Sequence, residues 1–187
     1  MKASFFNTEE LKEMGFKGLG NNVVISKKAS IYSPQNITIG NNVRIDDFCI
    51  ISSSNKCKIG NYVHIGCYSS IIGRGEIIIE DFCGISGRVS IYSSNDDYTG
   101  LYMTNPTVPS EYTGVTHGLV HIKKHSIIGS GSIILPNTIL NEGTSVSALS
   151  LLSGEFESYS IYSGNPAKKI SKRQKRFLKY EKFITNH

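Results

Sequence analysis

The sequence offers no segment with which to leave water. None of its apolar runs approaches the roughly 18 residues that a membrane span needs. Its opening residues, MKASFFNTEELKEMGF, contain neither an apolar h-region nor a small-residue cleavage site, so no secretory leader is expected and the expected location is the cytoplasm. Cysteine is sparse. Cys49, Cys57, Cys67 and Cys83 form no CxxC pair and no His/Cys ligand spacing, which argues against a disulfide framework and against a metal site. Charged residues are also few, at 19%, and the net charge of +5 is local: eight of the twenty Lys and Arg residues lie between Lys168 and Lys182. No nucleic-acid motif or aromatic stacking platform accompanies that charge, so nucleic acid is not an expected partner. A basic tail of this kind reads as a solvated face or a local phosphate-binding patch.

What is abundant is isoleucine at fixed intervals. One column runs Ile25, Ile31, Ile39, Ile45, Ile51, Ile59, Ile65, Ile71, Ile79, Ile85, Ile91, resumes at Ile122, Ile128, Ile134, and closes with Leu140, Val146, Leu152. Fourteen of these seventeen positions are Ile. Steps within a group are six residues, and steps between the early groups are eight. A second column, two residues earlier, holds only small or β-branched residues, among them Cys49, Cys57 and Cys83. Residues two apart on a strand share a face, so each hexad sends one large and one small side chain inward. Six residues cannot hold a strand pair and its hairpin, so the chain must keep turning the same way. Three hexads then make one triangular coil, and coils stack at about 4.8 Å. The extra two residues sit at a corner, as at Ser53-Ser54 and Gly73-Arg74, and turn residues such as Gly40-Asn41-Asn42 and Gly60-Asn61 stand where corners are needed. The three cysteines of the small column are explained as small buried hydrophobes.

The chain therefore reads as one domain, 1–187, of all-β class: a parallel β-helix over 23–154 with a cap before it at 1–22 and a tail after it at 155–187. Residues 7–15 predict a short helix, N-capped at Asn7 or Thr8 with Glu9 and Glu10 in its first turn and Gly15 after its end. Such a helix would cover the first coil. Residues 93–119 interrupt the repeat with polar, aromatic, Pro/Gly-punctuated text, the composition of a functional loop. Residues 165–184, opening Asn165-Pro166, predict a basic helix with Ile170, Phe177 and Ile184 on one face.

The stacked hexads, the loop, and the late segments IIGSGSIILPNTILNEGTSVSALSLL and SGNPAKKI resemble the hexapeptide acyltransferases, in the branch of sugar O- and N-acetyltransferases. The N-terminal text ELKEMGFKGLGNNVVISKKASIY resembles N-acetyltransferases acting on dTDP-4-amino-4,6-dideoxyglucose. The resemblance implies a left-handed helix, a homotrimer with active sites between subunits, and acetyl-CoA as co-substrate. It also implies a role in building a surface polysaccharide such as O-antigen or capsule. On the donor side it places Gly129, Ser130, Ser147 and Ala148 along the pantetheine groove, where bulk would block the path. Lys168 matches a basic position near the nucleotide end of CoA, with Lys172 and Arg173 within reach of the same phosphates. The family's Thr-Lys in the next coil is Ser153-Gly154 here, which removes one charge contact.

On the acceptor side, the family's usual loop histidine aligns with Asp96. The insertion instead ends with His117, which a returning loop could pair with Asp96 or Asp97 as an oriented base. Substrate contacts are expected from Arg74, at a corner where the galactoside enzymes carry Asp, and from Tyr68, Tyr98, Tyr102 and His64. Arg74 would suit the diphosphate of a nucleotide sugar. His121 and His125 are expected outward, in structural roles. Because an amine is a readier nucleophile than a hydroxyl, the missing histidine favours an amino-sugar acceptor, N-acetylated while nucleotide-linked. O-acetylation of a sugar hydroxyl, and a non-catalytic β-helix serving assembly or binding, are the alternatives.

Overall fold

The computed structural model describes residues 4–185; residues 1–3 and 186–187 of the expected cap and tail lie outside it. The hexads form a left-handed parallel β-helix. Three sheets of seven, eight and six strands are its faces, parallel except for the last strand of the eight-stranded one, and successive coils pair in register, as Ile37 with Cys57, Cys57 with Ile77, and Ile77 with Val120. The last pairing spans the 93–119 insertion, so the loop leaves the solenoid without disturbing its stack.

The inward column is the core. Ile25, Ile45, Ile51, Ile65, Ile71, Ile85 and Ile91 are fully buried, and Cys49, Cys57 and Cys83 lie beside them in the small column. Each Ile contributes about 1.5–3 kcal/mol of burial. Desolvation pushes the Cys57 and Cys83 thiols up to about 12, which leaves them protonated and inert. At one corner a polar ladder repeats each coil: Asn21 N–H donates to Asn41 Oδ1, Asn41 N–H to Asn61 Oδ1, and Asn61 N–H to Asp81 Oδ1, at 2.7–2.8 Å.

Helix α1 (Thr8–Glu13) covers the first coil with a reciprocal capping box between Asn7 and Glu10, and it buries Leu11 in the core. The solenoid starts before the expected boundary at 23, since Gly18–Leu19 already pairs with the strand Ile37–Ile39. It also runs past 154. Glu155–Phe156 and Ser160–Ser163 continue two sheets, and Phe156 meets Tyr162 edge-to-face at 4.8 Å where the aliphatic column has ended.

The tail departs from the expected basic helix. Residues Lys168–Lys172 form a strand, antiparallel to Ser160–Ser163, and the helix is shorter and later: α2, Leu178–Thr185. The physical reason is the bare edge that the final parallel strand would present; the returning segment covers it. Ile170 consequently stands on the strand, 61% exposed, and shares no helical face with Phe177 and Ile184. His125, expected outward, is 7% exposed. It stacks on Phe82 at 5.2 Å, meets Phe177 edge-on at 5.2 Å, and bonds Glu181 at 2.9 Å. Lys124 pairs with the same carboxylate group. Arg173 completes this strap by donating through Nη1 to the carbonyls of His125 (2.6 Å) and Gly143 (3.1 Å).

Candidate functional site

The insertion builds a cleft at its own root. Its two ends, Ser94–Asn95 and Thr116–His117, pair as antiparallel strands with Ser94 opposite His117. The loop root is therefore fixed to the coil, and His117 is returned to the place where the loop began. A cleft of about 610 Å³ opens there, lined by Arg74, Ser94, Asn95, Asp96 and His117, by Ser52, Ser54, Asn105, Ser110 and Thr113, and by apolar Ile72, Pro106, Val108 and Val115. Polar side chains outnumber apolar ones in this lining, which suits a small molecule rich in hydrogen-bonding groups.

The side chains in it have distinct states. Neither the Arg74 guanidinium nor the Asp96 carboxylate has an ion-pair partner among the described residues. His117 Nδ1 lies 2.8 Å from Ser94 Oγ, which also accepts the Arg74 backbone N–H at 2.7 Å. The His/Asp pair expected from the sequence is thus replaced by a His/Ser pair. Asp97 is committed elsewhere. It accepts from Thr99 Oγ1 (2.7 Å) and from the backbone N–H groups of Thr99, Gly100 and Tyr102 (3.0–3.1 Å), and these bonds pull its carboxyl down to about 2. A carboxylate so stabilised is a poor base and a good turn anchor.

The other expected acceptor residues are dispersed. Tyr98 is 86% exposed and, like Tyr102, is not part of the cleft lining. Tyr68 stacks on Phe48 at 4.9 Å beneath the Arg88 guanidinium. His64 lies on the eight-stranded sheet, in a shallower depression of about 400 Å³, where Asp46 receives both its Nε2 (2.7 Å) and Arg44 Nε (2.7 Å). His121 bonds Glu80 at 2.6 Å.

On the donor side, Ser130 and Ala148 are exposed at stacked corners joined by the Leu149 N–H to Ser130 carbonyl bond of 2.9 Å. Gly129 explains their closeness. A Cβ there would stand 2.7 Å from the Ser147 carbonyl carbon and 2.9 Å from Ala148 Cα. Lys168 is exposed at the start of the covering strand, whereas Arg173 has its Nη1 bound to backbone carbonyls and its guanidinium over Phe177 at 4.5 Å. No group of three or more His, Cys, Asp or Glu side chains suited to a metal ion occurs among the described residues.

A hexad solenoid with one long loop closing a polar cleft is the architecture expected of a hexapeptide acyltransferase, although no family model matches the chain. The chain is 54% identical over 179 residues to the dTDP-4-amino-4,6-dideoxy-D-glucose acyltransferase of Escherichia coli, covering 95% of this chain and 93% of that one. It belongs to that acyltransferase family. AntD, an N-acyltransferase from Bacillus cereus solved with dTDP and 3-hydroxybutyryl-CoA, superposes with a TM-score of 0.94 at 45% identity, over 98% of this chain and 97% of AntD. A serine-to-cysteine variant of AntD, solved with dTDP-4-amino-4,6-dideoxyglucose and coenzyme A, gives 0.95 at 44% identity over 100% of both chains. A chloramphenicol acetyltransferase from Agrobacterium fabrum is 30% identical over 113 residues, about half of each chain (54%).

Proposed function

We propose that this chain transfers an acyl group from acyl-CoA to the amine of a dTDP-linked 4-amino-4,6-dideoxyhexose, the acceptor binding in the cleft at the root of the 93–119 loop. The observation that carries this reading is the near-full-length identity to an acyltransferase of that nucleotide sugar, joined to a cleft that holds an unpaired cation and an unpaired carboxylate. The Arg74 guanidinium supplies charge-assisted donors for the diphosphate. The Asp96 carboxylate accepts hydrogen bonds from the sugar amine and takes its proton as the nitrogen attacks. In that step the N–C bond to the acyl carbonyl forms, the C–S bond breaks, and coenzyme A leaves as the thiol once its sulfur is protonated. Variants of AntD at an aspartate and at a serine ten positions earlier were solved with dTDP and coenzyme A. In this chain Ser86 and Asp96 stand at the same separation. Ser86 carries no sequence signal beyond a corner serine, and it joins Asp96 as a candidate only through that spacing.

The finer features belong to the same proposal. The donor runs past Ser130, Ser147 and Ala148, with Lys168 at its phosphates, and acetyl-CoA is the donor favoured by the resemblance. A homotrimer, a cytoplasmic location and a place in surface-polysaccharide synthesis complete it. Thiol release tests the reading. Acetyl-CoA and 3-hydroxybutyryl-CoA are each offered with dTDP-, UDP- and GDP-linked amino sugars and with neutral sugars. Release with dTDP-amino sugars alone is expected, and Asp96→Asn should lower kcat/KM about 10²–10⁴-fold. Release only with neutral sugars would establish O-acylation instead; no release together with no CoA binding would leave a scaffold.

A further inference from the structure

His117 is the one imidazole in the cleft, and its partner decides what it does there. Ser94 Oγ has two lone pairs and one proton. One lone pair is occupied by the Arg74 backbone N–H at 2.7 Å. For the hydroxyl proton, His117 Nδ1 at 2.8 Å is the acceptor within reach among the described residues. The converse arrangement, Nδ1–H donating to Ser94, would give the oxygen two incoming donors and leave its own proton to solvent at this exposed contact. Antiparallel pairing of Ser94 with His117 fixes the two side chains across from each other, so the contact is built into the loop root. A neutral imidazole that accepts at Nδ1 carries its proton on Nε2.

We infer that Ser94 is a positioning residue that holds His117 in the Nε2–H form, so that His117 donates a hydrogen bond to an oxygen of the nucleotide-sugar acceptor instead of serving as the base. This rests on the cleft being the acceptor site. It also explains how the cleft divides its labour. With Nδ1 filled by a hydroxyl and Nε2 protonated, the ring has no free lone pair for the substrate's proton. Asp96 is the carboxylate in the lining that has one. A histidine paired with a carboxylate, as the sequence suggested, would have had the opposite tautomer and the opposite role.

The tautomer is directly observable. Nitrogen-15 spectra of the full chain, with His117→Gln used to assign the ring, should show His117 Nδ1 unprotonated and Nε2 protonated when the ring is neutral. Ser94→Ala should give a mixture of tautomers and lower kcat/KM about tenfold, the size of one lost orienting bond. Ser94→Thr, which keeps the hydroxyl and suits a strand, should restore both. A protonated Nδ1 in the unaltered protein, or a ring unchanged by Ser94→Ala, overturns the inference. Failure of the unaltered protein to bind dTDP would remove the acceptor assignment instead, a result separate from the tautomer.

Discussion

Gly75→Ala is a sharp test of how the solenoid and the cleft are joined. Gly75 lies in the coil just below the loop root, where Ser93 Oγ donates to its carbonyl at 2.9 Å and Gly118 N–H donates to Ser93 O at 3.0 Å. A Cβ at Gly75 would stand 2.6 Å from the Ser93 carbonyl oxygen, 2.8 Å from the Gly118 carbonyl carbon, and closer still to the Gly118 oxygen. All three are backbone atoms held in the stack, so the coil itself must give way. Overpacking of this kind costs about 1–3 kcal/mol, while the lost freedom of the unfolded glycine returns about 0.4–1 kcal/mol. The net loss of about 1–2 kcal/mol should lower Tm by roughly 2–8 °C in a chain of this length. Because Gly118 follows His117, the same shift should move the imidazole, and displacements near 1 Å cost up to about 10²-fold in rate. Gly84→Ala is the internal control. Its Cβ would meet only Ile127 Cγ1, at 3.8 Å, so it should hold or raise Tm. Thermal unfolding at fixed protein concentration and kcat/KM for the acceptor are the readouts. A Gly75→Ala protein as stable and as active as the parent would refute the claim that coil spacing sets the loop root.

Two further outcomes follow from side chains whose roles the structure separates. Asp97 has its folded carboxyl pulled down to about 2 by the loop's own donors, against about 3.9 in an unfolded chain. Its support of the loop is therefore complete above about pH 4 and is lost as pH falls through the folded value. The Gly100 and Tyr102 amide resonances should titrate near that lower value, and a midpoint near the ordinary 3.9 would sink the assignment. Arg173→Ala removes two charged hydrogen bonds to backbone carbonyls and should lower Tm by roughly 3–12 °C, taking about 1.5–3 kcal/mol for the two together. It should leave KM for CoA unchanged, whereas Lys168→Ala should raise that KM without affecting Tm. The reverse pattern would return Arg173 to the phosphates where the sequence first placed it.

The division between what was legible and what was not has a physical basis. The inward side of each hexad is constrained by packing against the coils above and below, so Ile25 to Leu152 write the fold into the sequence at a fixed period, and the same constraint accounts for Cys49, Cys57 and Cys83. Handedness is not in that period, because inward burial is the same for either hand; it came through resemblance. The tail was misread because Lys168–Lys172 has no strand pattern of its own, all five residues being exposed. Its strand exists because the edge of Ser160–Ser163 needs a partner, a tertiary cause that local composition does not carry.

The cleft shows the same logic on the outward side. There packing against neighbouring coils constrains side-chain identity less, so the loop histidine that the resemblance leads one to expect can be Asp96, and Arg74 can stand at a corner where the resemblance implies Asp. His117 was legible because it closes the insertion. Its partner was not, because Ser94 and His117 lie 23 positions apart and meet only through the antiparallel pairing at the loop root. A loop returning to its own start pointed to Asp96 and Asp97 as its mates. The hydrogen-bond count instead gives Asp97 to the loop and Ser94 to His117, and it leaves Asp96 as the cleft carboxylate free to meet an amine. On the proposed reading, a carboxylate base takes the place of a histidine through outward residues at one loop root, while every inward isoleucine stays where it was.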